Sequence, residues 1–179
     1  MFHRNVLGFI LNQKNLIESG VEIGVQQGEF SEILLQTWQG KKLYLVDCWQ
    51  HQNQGYFDVA NVNNNTHEQY YQSTIKRISP YKDRTEIYKK YSSDAVNLFE
   101  DNSLDFVYID ANHKYESVLE DMNLWYPKVR QGGLLAGHDC IDDTSDWGVF
   151  GVLSAVNSFC KKTSKEYTTG PCKSWYIWK

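Results

Sequence analysis

No stretch of this 179-residue chain approaches the roughly 20 consecutive apolar residues that span a bilayer, so no membrane partner is expected. The beginning, "MFHRNVLGFILNQKN", has only a short apolar stretch and no small-residue cleavage site. It does not read as a signal peptide, and a soluble, cytoplasmic protein is expected. None of the four cysteines, Cys48, Cys140, Cys160 and Cys172, stands in a CxxC spacing. That argues against a zinc knuckle or a dithiol motif and for free thiols in a reducing compartment. Basic residues are not concentrated either: the pairs Lys41-Lys42, Lys76-Arg77, Lys89-Lys90 and Lys161-Lys162 are scattered through a chain of net charge −4. A nucleic-acid partner calls for a concentrated basic surface and is not expected. Internal repeats, low-complexity tracts and linkers are absent, and the length suits one domain, 1–179.

What the sequence does have is alternation. An amphipathic helix is predicted over about 2–18, with Val6, Phe9, Ile10 and Ile17 on its apolar face. Strands are predicted at 21–25, 41–49, 85–90, 104–110 and 134–139, and helices at 31–38, 67–79, 93–99, 116–125 and 150–161. "LDFVYID" is nearly continuous apolar sequence, as a strand buried on both faces of a parallel sheet reads. Residues 50–65, rich in Asn and Gln, read as a long loop, and the tail around Gly170-Pro171 as a hairpin. The sum is an α/β domain, mostly parallel, with helices on both faces.

In such sheets ligands bind beyond the carboxyl ends of the strands. Those ends carry the glycine turn of "VEIGVQQG", then Asp47, Ser92-Ser93-Asp94, Asp110 and His138-Asp139. A carboxylate about 20 residues after a glycine turn can accept hydrogen bonds from ribose hydroxyls, which points to a nucleoside-containing cofactor. The spacing Gly24-x-x-x-Gly28, preceded by Glu22, is not the GxGxxG of dinucleotide sites. A cofactor without a pyrophosphate is therefore expected.

Together "VEIGVQQG", "LYLVDCW", "DFVYIDANHKYESVLEDMNLWYPKVRQGGLLAGHD" and "SWYIWK" resemble class I S-adenosylmethionine-dependent methyltransferases, and among them the macrocin O-methyltransferase-like branch. The resemblance covers about residues 18–179. It implies a Rossmann-like fold: a mostly parallel seven-stranded sheet with an antiparallel last strand. A cofactor-binding half would lie at about 19–110 and a substrate and metal half at about 111–179. It implies S-adenosylmethionine as cofactor, with Gly24 and Gly28 against its amino-acid part, Glu22 near its ammonium group, Asp47 on the ribose and Ser92, Ser93 and Asp94 at the adenine. By the same resemblance Asp110 would border both the cofactor and the reaction centre. Trp49 would cover the adenine, line the substrate mouth or simply pack. Methyl transfer to a hydroxyl needs an aligned acceptor and a base. The resemblance implies Asp110 and Asp139 as ligands of Mg²⁺ or Mn²⁺. His113 is the expected base and His138 the competing one.

The acceptor is expected to be a small hydroxylated molecule such as a sugar. The loop 49–66 and the segment 140–150 are left to supply specificity, or a second subunit of a homo-oligomer. Asp142, Asp143 and Asp146 flank Trp147 in a stretch that reads as a lid or a solvated loop. His51 and His67 read as surface or as substrate contacts, and His3 as a surface or helix-end residue. Glu116, Glu120 and Asp121 read as a solvated helix face, and Trp125 and Tyr126 as core. A non-catalytic module that binds the same cofactor is the alternative reading.

Overall fold

The structure, a computed structural model, describes residues 6–52 and 55–179. The first residues of the expected N-terminal helix, and His3, lie outside the described residues. The chain runs through α1 (Val6–Gln13), β1 (Ser19–Ile23), α2 (Glu29–Thr37), β2 (Lys42–Asp47), α3 (Asn64–Ile78), β3 (Thr85–Lys89) and the short α4 (Ser92–Ala95). Then come β4 (Leu104–Ile109), α5 (Tyr115–Trp125), β5 (Val129–Gly137), β6 (Asp142–Ser145), β7 (Gly148–Gly151), α6 (Val152–Thr163), β8 (Thr168–Thr169) and β9 (Trp175–Trp178).

One seven-stranded sheet has the order β3-β2-β1-β4-β5-β9-β8. The strands from β3 to β5 are parallel, and β9 runs antiparallel to β5. This is the expected Rossmann-like α/β sheet. Because β1 pairs with both β2 and β4, the strand order reverses there, and a crevice opens beyond the strand ends.

All six residues of β4 are buried, and their alternation divides the core. Phe106 and Tyr108 meet Leu7 and Leu11 of α1 and Leu34 and Leu35 of α2 on one face. Val107 and Ile109 meet Met122 and Trp125 of α5 and Val156 and Phe159 of α6 on the other. Each such side chain, withdrawn from water, stabilises the fold by about 1.5–3 kcal/mol.

Four elements differ from the sequence reading. Helix α1 ends at Gln13 rather than near residue 18 and buries Leu7 and Leu11, while Phe9, expected on its apolar face, is 57 % exposed and Ile17 lies beyond it. Helix α3 begins at Asn64, earlier than expected, because the Asn63 side chain caps it by accepting from the Thr66 N–H. Strand β5 begins at Val129, before the glycine pair, and its pairing with β4 shifts register between Leu104 and Phe106 while Gly132 takes φ +74°. The stretch 142–151 forms the β6–β7 hairpin, which zips to the β2–α3 loop: Val59 N–H donates to Trp147 O and Val149 N–H to Phe57 O.

Candidate functional site

The carboxyl ends of β1, β2, β4 and β5 open on one cleft of about 630 Å³, bordered by Glu22, Gly24, Asp47, Ser92, Ser93, Asp110, His113 and Asp139. These expected residues are brought together. Gly28, Trp49, Asp94 and His138 are not among those that line it.

The glycine turn answers first to the chain itself. Gly24 has φ +85°, and a Cβ there would stand 2.1 Å from the carbonyl oxygen of Asp110. Gly28 has φ +73° at the start of α2, and its absent Cβ would press on Thr74 of α3 at 3.1 Å. Backbone approach between β1 and β4 therefore demands the first glycine, and helix packing the second. Asp47 then fixes the turn. Its Oδ2 accepts from Val25 N–H and Gln26 N–H at 2.9 Å each, and Oδ1 from Trp49 N–H at 2.7 Å. Glu22, 1 % exposed, accepts from the Ser31 hydroxyl on α2.

Trp49 departs from the expected role at the cofactor or mouth. It is 3 % exposed, its indole N–H donates to Gln26 O, and its ring packs on Tyr71. It belongs to the core under the turn. Asp94 is exposed on α4.

The chemistry-bearing end is built by the loop after β4. His113 Nε2 lies 3.4 Å from Asp110 Oδ1 and 3.6 Å from Asp139 Oδ2, and Nδ1 lies 2.8 Å from Asp58 Oδ2. The imidazole stacks on Phe150, ring centres 4.9 Å apart. Burial works to lower the His113 pKa, but the hydrogen bonds and charges of Asp110 and Asp58 prevail and raise it to about 10. Burial likewise raises Asp58, but His113 and the Ala60 N–H outweigh it and hold this carboxyl below its ordinary value. Among the described residues, Asp110, His113 and Asp139 form a set that could hold a cation, one ligand atom from each within 4.8 Å of the others. His138 sits behind Asp110. Its Nδ1 is 3.0 Å from Asp139 Oδ1, yet both ring nitrogens are buried without a hydrogen bond of acceptable geometry. That places the competing base off the cleft.

Two residues escaped the sequence reading. Asp58 is the only acid in the Asn- and Gln-rich stretch 50–65, which is the one signal that could have marked it. Three consecutive ties hold its loop to the loop after β4: Asn112 to Gln52 Oε1, His113 to Asp58, and Lys114 Nζ to Gly55 O. Asp121, read as solvated, is only 8 % exposed and borders the cleft from α5. The expected core position of Trp125 is borne out at 0 % exposure.

Comparison with known proteins agrees with this architecture. An O-methyltransferase from Bacillus cereus, in complex with S-adenosylhomocysteine, superposes with TM-score 0.65 at 14 % identity, over 98 % of this chain and 80 % of that one. The O-methyltransferase TomG from Streptomyces achromogenes, in complex with S-adenosylmethionine, gives 0.65 at 13 % over 98 % and 78 %. A caffeoyl-CoA O-methyltransferase, so described provisionally, from Staphylococcus aureus gives 0.70 at 13 % over 100 % and 85 %. At these identities the likeness is one of fold. In sequence, 130 residues are 22 % identical to uncharacterised protein y4gI of Sinorhizobium fredii, covering 72 % of this chain but 13 % of that much longer protein. A family model described as a methyltransferase domain matches residues 21–140. Because that model matches two-thirds of its length, the chain belongs to this methyltransferase domain family.

Proposed function

We propose that this protein transfers a methyl group from S-adenosylmethionine to a hydroxyl oxygen of a small acceptor such as a sugar, as the resemblance to the macrocin O-methyltransferase-like branch implies. One observation carries the cofactor reading: nine carboxyl groups line the cleft against two lysines and the protonated His113. The phosphates of a dinucleotide would meet like charge there, whereas a sulfonium that also carries an ammonium group meets opposite charge. The fold shared with solved methyltransferases supports the same reading.

Glu22 and the turn after β1 would hold the amino-acid end, Asp47 the ribose, and Ser92 and Ser93 the base. Asp47 already accepts three backbone N–H groups. A carboxylate offers about four lone-pair sites, so it has room for one hydroxyl rather than two. The sulfonium supplies an already activated methyl group. The chain's task is to align the acceptor and take its proton.

His113 serves as base. Asp58 fixes its ring through Nδ1 and Phe150 through stacking, and Nε2, which faces Asp110 Oδ1 at 3.4 Å, would exchange that contact for the proton of a hydroxyl. With a pKa of about 10, on the order of one imidazole in a thousand is neutral at pH 7. Asp110 and Asp139 would hold a divalent cation, and an oxygen set with an imidazole beside it suits Mn²⁺ better than Mg²⁺. Such a cation would supply the positive charge that lowers the pKa of the acceptor hydroxyl.

Calorimetric titration with S-adenosylhomocysteine tests the reading, in chelator and then with excess Mn²⁺ or Mg²⁺, with NAD⁺ as control. Micromolar binding of the nucleoside product and none of NAD⁺ is expected. Absence of S-adenosylhomocysteine binding in every condition refutes it. The heat of cation binding is expected to vanish in Asp139→Ala.

A further inference from the structure

We propose that the acceptor carries its reacting hydroxyl at one end of an apolar body, and that Val59 and Trp147, with Phe57 beyond them, hold that body at the mouth of the cleft. The inference rests on the methyl transfer proposed above and names the chemistry of its acceptor. Trp147 is 69 % exposed, Val59 55 % and Phe57 54 %, and Val59 and Trp147 border the cleft. Large apolar side chains gathered at the rim of a pocket mark a surface that a ligand covers. Their backbone is fixed. Asp58 pairs with Gly148 in an isolated antiparallel bridge, so that Val59 stands across from Trp147 and Phe57 across from Val149. Asp58, in the middle of that pairing, holds the His113 ring, and Phe150, two residues after Gly148, stacks on the same ring. The residues that support the proposed base and those that form the seam thus alternate along the same two paired segments.

What covers the seam follows from how the polar side chains beside it are engaged. Amide side chains can donate to and accept from the hydroxyls of a sugar. Here they hold the loop together. Asn61 Nδ2 donates to Gln52 O and to Tyr56 O, and its Oδ1 accepts from Gln52 N–H. Asn112 Nδ2 donates to Gln52 Oε1, and its Oδ1 accepts from Lys114 N–H. The Tyr56 hydroxyl donates to Asp58 Oδ2. A free sugar, polar on every side, would press hydroxyls against Val59, Ile141, Trp147 and Phe150, all on the cleft, and hydroxyls buried without partners are costly. An apolar body buries no polar group there and withdraws exposed apolar side chains from water. A sugar fits this arrangement only as the hydroxyl-bearing end of such a molecule.

The test uses 1-butanol, 1-hexanol and 1-octanol as probes, titrated into the protein loaded with S-adenosylhomocysteine. Binding is followed by NMR at the indole N–H of Trp147, assigned with Trp147→Ser, and at the ring of His113. A fully buried methylene adds about fourfold to affinity, and one half covered on an open seam about twofold, so octanol is expected to bind at least about tenfold more tightly than butanol. Octanol is also expected to shift both resonances. With Val59→Ser and Trp147→Ser combined, the octanol advantage read at His113 is expected to fall to about threefold or less. Thermal unfolding verifies that the double variant folds, and Trp147→Ser alone replaces it if it does not. Affinity independent of chain length in wild type, an undiminished advantage in the variant, or a shift of Trp147 without His113 each overturns the inference. So does methyl β-D-glucopyranoside binding more tightly than octanol. Failure to bind S-adenosylhomocysteine, seen before any alkanol is added, overturns the methyl-transfer reading and this inference with it.

Discussion

Replacing Asp58 by Asn removes one charge from the His113 cluster and leaves its shape nearly unchanged. The consequence can be worked from the structure. The His113 pKa stands at about 10 against an ordinary 6.5, which at about 1.4 kcal/mol per pKa unit is on the order of 5 kcal/mol favouring the protonated folded state. Two carboxylates, Asp110 and Asp58, produce it, so the share of Asp58 is about 2 kcal/mol. His113 is raised in the folded state. Its contribution is therefore fully present below pH 6.5 and is lost as pH rises through about 10. Urea unfolding of wild type and Asp58→Asn, in chelator, from pH 6 to pH 10.5, is the assay. The difference in unfolding free energy is expected to be about 2 kcal/mol near pH 6 and to shrink towards the alkaline end. Histidine ring titration by NMR should show one imidazole whose midpoint falls in the variant. A difference that stays constant with pH, together with an unmoved His113 midpoint, refutes the electrostatic coupling and leaves Asp58 a packing residue.

Replacing Asp121 acts in the opposite direction, although the pH trend is the same. Its folded pKa is raised to about 7, so wild type should lose stability as pH rises from about 4 to 7, and Asp121→Asn should be the more stable protein above pH 7, by at most about 4 kcal/mol, in the same urea assay. Gly24→Ala forces a Cβ to 2.1 Å from the Asp110 carbonyl oxygen at φ +85°, and chemical unfolding should register a loss of about 3 kcal/mol or more. Trp49→Phe loses the hydrogen bond to Gln26 O and should lower the melting temperature while leaving the affinity for S-adenosylhomocysteine within twofold, because the ring is off the cleft. Once an acceptor is found, its methylation rate in chelator should climb with pH towards 10, and His113→Gln should flatten that climb at a much lower rate.

The sheet was legible because β4 announces itself: six apolar or buried residues with an acid directly after them cannot be read as a surface strand. The acids at the strand ends were legible for the same reason, since the parallel order carries Asp47, Asp110 and Asp139 to one edge. What sequence could not convey is what each acid faces. Asp47 reads as a ribose ligand, yet much of its hydrogen-bonding capacity goes to the backbone of the turn. Asp121 sits among charged neighbours on a helix, and only the packing of Ser92 and Trp125 against it reveals burial. The β6–β7 hairpin has poor local strand propensity, with Asp142, Asp143, Ser145 and Gly148, and is held by pairing with a loop some ninety residues earlier, from Val59 N to Trp147 O. No local pattern encodes that partner.

Surface loops ordinarily tolerate inserted or deleted residues between homologous proteins. The β2–α3 loop is denied that freedom. It is pinned at Gln52, Gly55 and Asp58 to three consecutive residues after β4, and its far end is set by the Asn63 cap of α3. A single residue added between Gly55 and Asp58 would move the carboxylate off His113 and break the pairing of Phe57 and Val59 with the hairpin. Side chains such as Phe57, Val59 and Trp147, which stand exposed along that seam, can therefore be exchanged without disturbing these ties, whereas the loop that carries two of them cannot be lengthened.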